Sequence, residues 1–146
     1  MTTGEYVPSP TEWVRNQVEL YERTNGAEGY ELRDSGLPVI IVTNNGRNTG
    51  AVRKTPLMRV KVGDAYVLVA SMGGQPKNPV WYYNLVADPD ITIRDRAEVT
   101  AMRARLIEDP DERSRLWTAA VEAFPPYAEY QTRCERIIPV FLAEPV

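Results

Sequence analysis

Leu37-Pro38-Val39-Ile40-Ile41-Val42-Thr43 runs into Asn44-Asn45-Gly46-Arg47-Asn48-Thr49-Gly50, and the chain returns through Ala51-Val52-Arg53-Lys54-Thr55-Pro56-Leu57-Met58. The first segment is β-branched and short enough to be a strand buried on both faces. The second is rich in Asn and Gly, which accept positive φ in turns. The third predicts a returning strand over 51–62. Pro56 donates no ladder hydrogen bond, so the middle of that strand has to lie at an edge or a bulge. Gly63-Asp64 predicts a tight turn into another strand over 65–70.

Moving toward the C-terminus, Ser71-Met72-Gly73-Gly74 reads as a loop, and Asn78-Pro79 as the cap of a short helix carrying Trp81, Tyr82, Leu85 and Val86, stopped by Asp88-Pro89. A second hairpin is predicted from 91–94 and 98–107 around Asp95-Arg96. Asp109-Pro110-Asp111-Glu112 starts a helix with Leu116, Ala119, Ala120 and Ala123 on its inner face, ended by Pro125-Pro126. A short helix over 127–133 and a last strand over 137–142 complete the chain. Toward the N-terminus, 1–8 reads as a loose arm. Ser9-Pro10-Thr11-Glu12 then reads as a capping box with Ser9 as N-cap, opening a helix with Trp13, Val14, Val18 and Tyr21 at helical spacing. Successive hairpins with a few helices point to a mainly β, α+β fold: an antiparallel barrel with peripheral helices. The expected division is an arm and helix over 1–35 and a barrel domain over 36–146.

A chain of 146 residues, 43% hydrophobic and 25% charged, suits one folded unit. There is no histidine and only Cys134, so Ser-His-Asp and Cys-His nucleophiles, His-ligated metals and thiolate clusters within the chain are excluded. No metal site is expected. Chemistry here has to rest on a borrowed cofactor, carboxylates, hydroxyls or lysine. The lone cysteine suits a reducing cytoplasm, and no apolar run approaches the ~18 residues of a membrane helix.

The net charge of −3 is unevenly spread. Between Ser35 and Gly63 there is no acid, yet Arg47, Arg53, Lys54, Arg59 and Lys61 all fall there. A basic island flanking a glycine-bordered turn is a candidate anion site, because backbone N–H groups in such turns converge on anions; a solvated strand face is the alternative. Nucleic acid is not expected, since the protein is acidic overall and carries no recognised reader motif.

Two segments combine these features: Gly46-Arg47-Asn48-Thr49-Gly50 followed by Arg53-Lys54-Thr55-Pro56-Leu57, and Ala70-Ser71-Met72-Gly73-Gly74 followed by Lys77-Asn78-Pro79-Val80-Trp81-Tyr82-Tyr83-Asn84-Leu85. In this order and spacing they resemble the deazaflavin (coenzyme F420)-dependent nitroreductase family, which has a split β-barrel of the flavin-binding type. The stretch from Tyr127 to Tyr130 and the closing Arg136-Ile137-Ile138-Pro139 match the same pattern, so the resemblance covers about 38–145.

The resemblance implies an F420-dependent oxidoreductase that passes a hydride to a small electron-poor acceptor: a quinone, an activated enone or a nitroaromatic. Arg47, Asn48, Thr49, Arg53 and Lys54 would hold the cofactor's phosphate and glutamate tail, arginine being suited to paired bonds with phosphate. Thr55, Pro56, Leu57 and Met58 would continue the lining toward the ring. Lys77, Asn78, Pro79, Val80 and Tyr83 would lie by the tail. Val69, Ala70, Ser71 and Met72 would run beside the deazaflavin, with Trp81, Tyr82 and Asn84 near it. Ser71 and Tyr127 are the catalytic candidates, and Phe124, Tyr127 and Tyr130 the acceptor pocket. Trp81 and Tyr82 are equally well read as core aromatics.

Two positions depart from the family pattern. Met72 stands where lysine is common, and Phe124 replaces the first tyrosine of the rim. The resemblance therefore does not carry nitroimidazole prodrug activation to this chain. Non-catalytic storage of the same cofactor, and a flavin mononucleotide enzyme of the related split-barrel group, are the alternatives. Expected partners are the acceptor and a second copy of the chain. The N-terminal helix suits core packing first, its polar face carrying Glu12, Glu19 and Glu22; cofactor cover and a peripheral membrane contact are its other readings. Asp109, Asp111 and Glu112 read as capping acids, and Cys134 as packing.

Overall fold

The computed structural model describes residues 4–32 and 35–146. The start of the expected loose arm and part of the connector before the first strand lie outside the described residues. The elements in chain order are α1 (Glu12–Arg23), β1 (Val39–Asn45), β2 (Val52–Met58), β3 (Lys61–Val62), β4 (Ala65–Val69), α2 (Val80–Ala87), β5 (Asp90–Asp95), β6 (Glu98–Leu106), α3 (Pro110–Ala123), α4 (Pro126–Thr132) and β7 (Val140–Pro145). The seven strands form one antiparallel sheet in the order β2-β1-β5-β6-β7-β4-β3.

The two ends of that sheet are neighbours in sequence. Only Arg59 and Val60 separate β2, which pairs with β1, from β3, which pairs with β4. Val60 already accepts the N–H of Val67 at 2.8 Å. Two residues span only a few ångströms of chain, so the sheet has to curl until its ends meet. The result is the split-barrel α+β fold. Pro56 lies on β2, where its missing N–H breaks no central ladder.

Strand alternation sorts the apolar residues into two cores. Ile40, Val42, Leu68, Ile91, Ile93 and Phe141 fill the barrel, and Leu85 of α2 plugs it. Val39, Ile41, Val67, Val69 and Val140 face outward under the helices, against Val18 and Tyr21 of α1, Leu116 of α3 and Tyr127 of α4. The Tyr21 hydroxyl donates to the Val39 carbonyl at 3.1 Å and accepts the Arg96 N–H at 2.8 Å. The apolar face of α1 is therefore packed into the core, as its acidic outer face implied. Among the described residues no helix is long and apolar enough to cross a membrane.

Locally, the structure departs from the expected boundaries at several points. α1 starts at Glu12 with Thr11 as N-cap, and Ser9 instead closes a short turn by accepting the Thr11 N–H at 3.1 Å. The arm is not loose over 5–7. Val52 N–H donates to the Glu5 carbonyl and Val7 N–H to the Val52 carbonyl, so the arm covers open ladder groups of β2. Pro79, not Asn78, is the N-cap of α2. β7 begins three residues later than expected, because side chains take the backbone groups a ladder needs: Arg113 binds the Ile138 carbonyl at 2.7 Å, and Gln131 accepts its N–H at 3.0 Å. Asp109 caps α3 as expected, accepting the Glu112 N–H at 2.9 Å.

Candidate cofactor and acceptor site

β2 runs along two hollows that meet at Trp81. The first, about 390 Å³, lies between Arg53, Lys54 and Thr55 of β2 and Val80, Trp81 and Asn84 of α2, covered by Val7, Ser9, Pro10 and Val14. The second, about 360 Å³, lies between Pro56, Leu57 and Met58 of β2, the turn at Ser71, Met72 and Gly73, and the aromatic wall of Phe124, Tyr127 and Tyr130. Val39, Val69, Pro79, Trp13 and Leu32 complete it.

The basic island divides according to its partners. Lys54 reaches both carboxylate oxygens of Glu22 in α1 at 2.8 Å and lies over the Tyr6 ring. Arg59 binds Asp95 at 2.8 Å, away from the hollows. Arg47 and Arg53 make no ion pair among the described residues. Arg53 donates to the Val7 carbonyl at 3.3 Å, and Arg47 lies over the Tyr83 ring. The turn between β1 and β2 uses much of its own hydrogen-bonding capacity. Gly46 N–H binds the Ala51 carbonyl, Gly50 N–H the Gly46 carbonyl, and Thr49 Oγ1 accepts the Ala51 N–H. Arg47 N–H is taken by Asn84 Oδ1 at 3.0 Å. Of the N–H groups expected to converge on an anion, those of Asn48 and Thr49 remain.

In the second hollow Phe124 and Tyr127 meet edge to face at 4.9 Å, and Tyr130 lies 6.1 Å from Phe124 and 6.3 Å from Tyr127. Tyr127 is 5% exposed. Burial, reinforced by Tyr130, holds its hydroxyl well above the ordinary phenol pKa, so it stays protonated and able to donate. No protein group among the described residues hydrogen-bonds to Tyr127 Oη or Ser71 Oγ, and both residues line this hollow.

Of the residues singled out in the sequence, Arg53, Lys54, Thr55, Val80, Trp81 and Asn84 line the first hollow. Pro56, Leu57, Met58, Val69, Ser71, Met72, Pro79, Phe124, Tyr127 and Tyr130 line the second. The others lie outside both. Arg47, Asn48, Thr49 and Lys77 are exposed, and Tyr83 lies on the outer side of α2. Ala70 is buried behind the turn, and Asn78 faces Arg136. Tyr82 packs on Phe141 at 5.7 Å and opens onto a separate depression beside α3 and β7, so the core-aromatic reading describes it. Val7, Pro10, Val14, Trp13 and Leu32 were missed. Trp13, two-fifths exposed on the first turn of α1, was the available signal. Asp111 stays on the first turn of α3, and Glu112 binds Arg105. Cys134 is half-buried against backbone carbonyls. Among the described residues no cluster of His, Cys, Asp or Glu could hold a metal ion.

The family model F420H(2)-dependent quinone reductase matches residues 13–145. The F420H(2)-dependent quinone reductase Rv1261c of Mycobacterium tuberculosis (strain ATCC 25618 / H37Rv) is 37% identical over 130 residues, covering 87% of this chain and 86% of that protein. A solved F420-H2 dependent reductase, FDR-A, is 46% identical with a TM-score of 0.69, over 73% of this chain and 94% of its own. Another solved structure, described as a domain-swapped dimer, is 44% identical with a TM-score of 0.72, over 93% of this chain and 100% of its own. The fold likeness extends further, to HutZ of Vibrio cholerae at 13% identity and a TM-score of 0.55, over 74% of this chain and 81% of that one, where it concerns the fold alone. With a matching fold, matching motifs and these relatives, the chain belongs to the F420H(2)-dependent quinone reductase family.

Proposed function

We propose that this protein reduces quinones with reduced coenzyme F420, using the two joined hollows for cofactor and acceptor. The observation that carries this reading is the contrast between them: unpaired arginine borders one, and an aromatic wall with a free hydroxyl closes the other. The donor set suits the cofactor. Arg53, with Arg47 and the free N–H groups of Asn48 and Thr49 near the rim, would hold the phosphate and tail carboxylates. Trp81 offers a face at the junction, and Pro56, Leu57 and Met58 an apolar bed for a ring.

Reduced F420 supplies a hydride when bound; the quinone takes that hydride and one proton and leaves as hydroquinone. The residues of this chain position and polarise. Phe124 and Tyr130 hold a flat acceptor against the cofactor side, and the buried aromatic wall excludes bulk water. Tyr127 donates a hydrogen bond to the quinone oxygen that gains charge. Its raised pKa makes it a poor source of the transferred proton, which solvent at the mouth beside exposed Met72 and half-exposed Tyr130 would supply. Ser71 Oγ would orient the ring or the acceptor. In this reading residues 36–146 carry the binding barrel, and Val7, Ser9, Pro10 and Val14 of the arm and helix cover the first hollow. The setting is the reducing cytoplasm, and a homodimer is the proposed assembly, testable by light scattering.

Fluorescence titration with F420 and with flavin mononucleotide, followed by turnover with a benzoquinone and a naphthoquinone, tests the proposal. Tighter binding of F420, weakened by salt, and hydroquinone formation are expected. F420 binding with no turnover of any acceptor class would favour storage. Bound flavin mononucleotide with no response to F420 would overturn the assignment.

A further inference from the structure

We infer that Arg136 is a positioning residue of the reductase, holding the Ser71-Met72-Gly73 turn and the start of α2 in register around the second hollow. This inference rests on the proposed site. Arg136 lies outside both hollows, on the segment joining α4 to β7, and four of the five N–H groups of its guanidinium go to acceptors behind them. Nε donates to the Gln75 carbonyl at 3.0 Å and Nη2 to the Ser71 carbonyl at 2.8 Å. Nη1 donates to the Ala70 carbonyl at 3.2 Å and to Asn78 Oδ1 at 2.9 Å. No carboxylate pairs with it among the described residues. A planar fork reaching three carbonyls and one amide fixes orientation in a way a point charge cannot.

The turn needs such holding. Met72 adopts φ 47° and Gly73 φ 65°, and Met72 is a non-glycine residue in the left-handed region. No peptide bond among the described residues is cis. With the Ala70 and Ser71 carbonyls facing Arg136, the trans peptides direct the N–H groups of Ser71 and Met72 away from it. Asn78 carries the same restraint to Pro79 and Trp81, which line the hollow from its other side. One side chain thus sets the spacing between two walls of the site without touching what binds there.

The test compares Arg136→Lys, Arg136→Ala and Tyr127→Ala with the wild-type protein. Single-turnover hydride transfer, the F420 dissociation constant and the melting temperature are measured for each. Arg136→Lys should fold, bind F420 within about threefold of wild type and transfer hydride at least about tenfold more slowly, since small misplacements of a reacting pair weigh heavily on rate. Added guanidinium at millimolar concentration should restore rate to Arg136→Ala but not to Tyr127→Ala. Wild-type transfer by Arg136→Lys, or a loss that follows the folded fraction and ignores guanidinium, would overturn the inference. If Tyr127→Ala also keeps wild-type kinetics, the site itself is misassigned; if only Arg136→Lys does, the site stands and the positioning role falls. If Arg136→Ala fails to fold, Arg136→Lys decides alone.

Discussion

Asn84 Oδ1 accepts the backbone N–H of Arg47 at 3.0 Å, which ties the basic turn between β1 and β2 to the inner face of α2. Asn84 is 5% exposed and also lines the first hollow. Its amide therefore links a wall of the hollow to the turn whose one cation, Arg47, lies outside it.

Replacing Asn84 by Ala should free the turn while leaving α2 in place. A lost neutral hydrogen bond of this kind corresponds to about 0.5–1.5 kcal/mol of stability. F420 affinity should fall about three- to tenfold, because the turn has to be ordered on binding. Titration and a thermal melt of the same sample check this. Unchanged affinity would show that the Arg47 turn takes no part in the site.

The Lys54–Glu22 pair predicts opposite effects for two charge removals. Arg53→Ala removes an unpaired cation and should weaken F420 binding by about tenfold or more, the ~1.5–3 kcal/mol of a charge-assisted bond. Glu22→Gln releases a cation and should tighten binding, at a stability cost of about 0.2–1 kcal/mol for a partly exposed pair. Salt titrations of all three proteins should show the steepest dependence for Glu22→Gln. Weaker binding by that variant would place Lys54 outside the phosphate path.

These relationships show where the sequence was readable. The Gly63-Asp64 turn, the Asp109 cap and the edge placement of Pro56 follow from chemistry within a few residues, and each holds. The curl of the sheet depends on which strands accept each half of 52–62, and local pattern does not encode that. Glu22 and Lys54 lie 32 positions apart, so the neutralisation of part of the basic island by α1 is not encoded in local pattern. The start of β7 falls later than the pattern suggests for a similar reason: Arg113, 25 positions away, and Gln131, seven positions back on α4, capture the backbone of Ile138. In the site, apolar linings carried by contiguous motifs were legible, whereas Trp13 and Leu32 enter from elements outside them.

Gly74 marks the closest approach of the Ser71–Gly74 turn to α4. A Cβ there would lie 2.6 Å from the Tyr130 carbonyl oxygen and 3.0 Å from Arg133 Cβ, at a φ of +80°. The neighbouring Gly73 has open space at φ +65°. Gly73→Ala should therefore lose only the ~1–2 kcal/mol of left-handed strain, and Gly74→Ala more than that. Gly74→Ala should also raise the quinone KM, since it pushes Tyr130 and the turn apart. Equal melting temperatures for the two variants would contradict the close packing.

Buried tyrosines predict the alkaline limit of stability, Tyr66 and Tyr127 most strongly, with Tyr21 raised in the same direction. Tyr66 is raised by burial and by its 2.6 Å hydrogen bond to Asp95, and Tyr127 by burial. Both folded pKa values exceed the unfolded value near ~10, so their contribution is complete below that pH and is lost as pH rises through the folded values. The melting temperature should be insensitive to these groups between about pH 7 and 9 and should fall above about pH 10. Tyr66→Phe should be less stable at neutral pH and lose less on going to alkaline pH. An alkaline decline as steep as wild type in that variant would assign it to other groups.

The aromatic wall gives the most direct test of acceptor chemistry. The Tyr127 hydroxyl has no hydrogen-bond partner in the protein among the described residues, so Tyr127→Phe orphans nothing and should leave the melting temperature unchanged or slightly higher. If that hydroxyl binds the quinone oxygen as charge develops, kcat/KM should fall by about tenfold, a loss of about 1–2 kcal/mol of transition-state stabilisation. F420 affinity should largely hold, because the first hollow, where the phosphate and tail would be held, does not include Tyr127, and Tyr127→Phe keeps the ring that faces the second. Phe124, 4.9 Å from the Tyr127 ring, provides the converse experiment. Phe124→Tyr adds a hydroxyl to the same wall and should shift preference toward hydroxylated naphthoquinones over plain ones. It should also return part of the rate lost in Tyr127→Phe when the two are combined, since the two rings share one wall. Wild-type kinetics for both single variants across several quinones would make the wall a packing feature and move the acceptor elsewhere along β2.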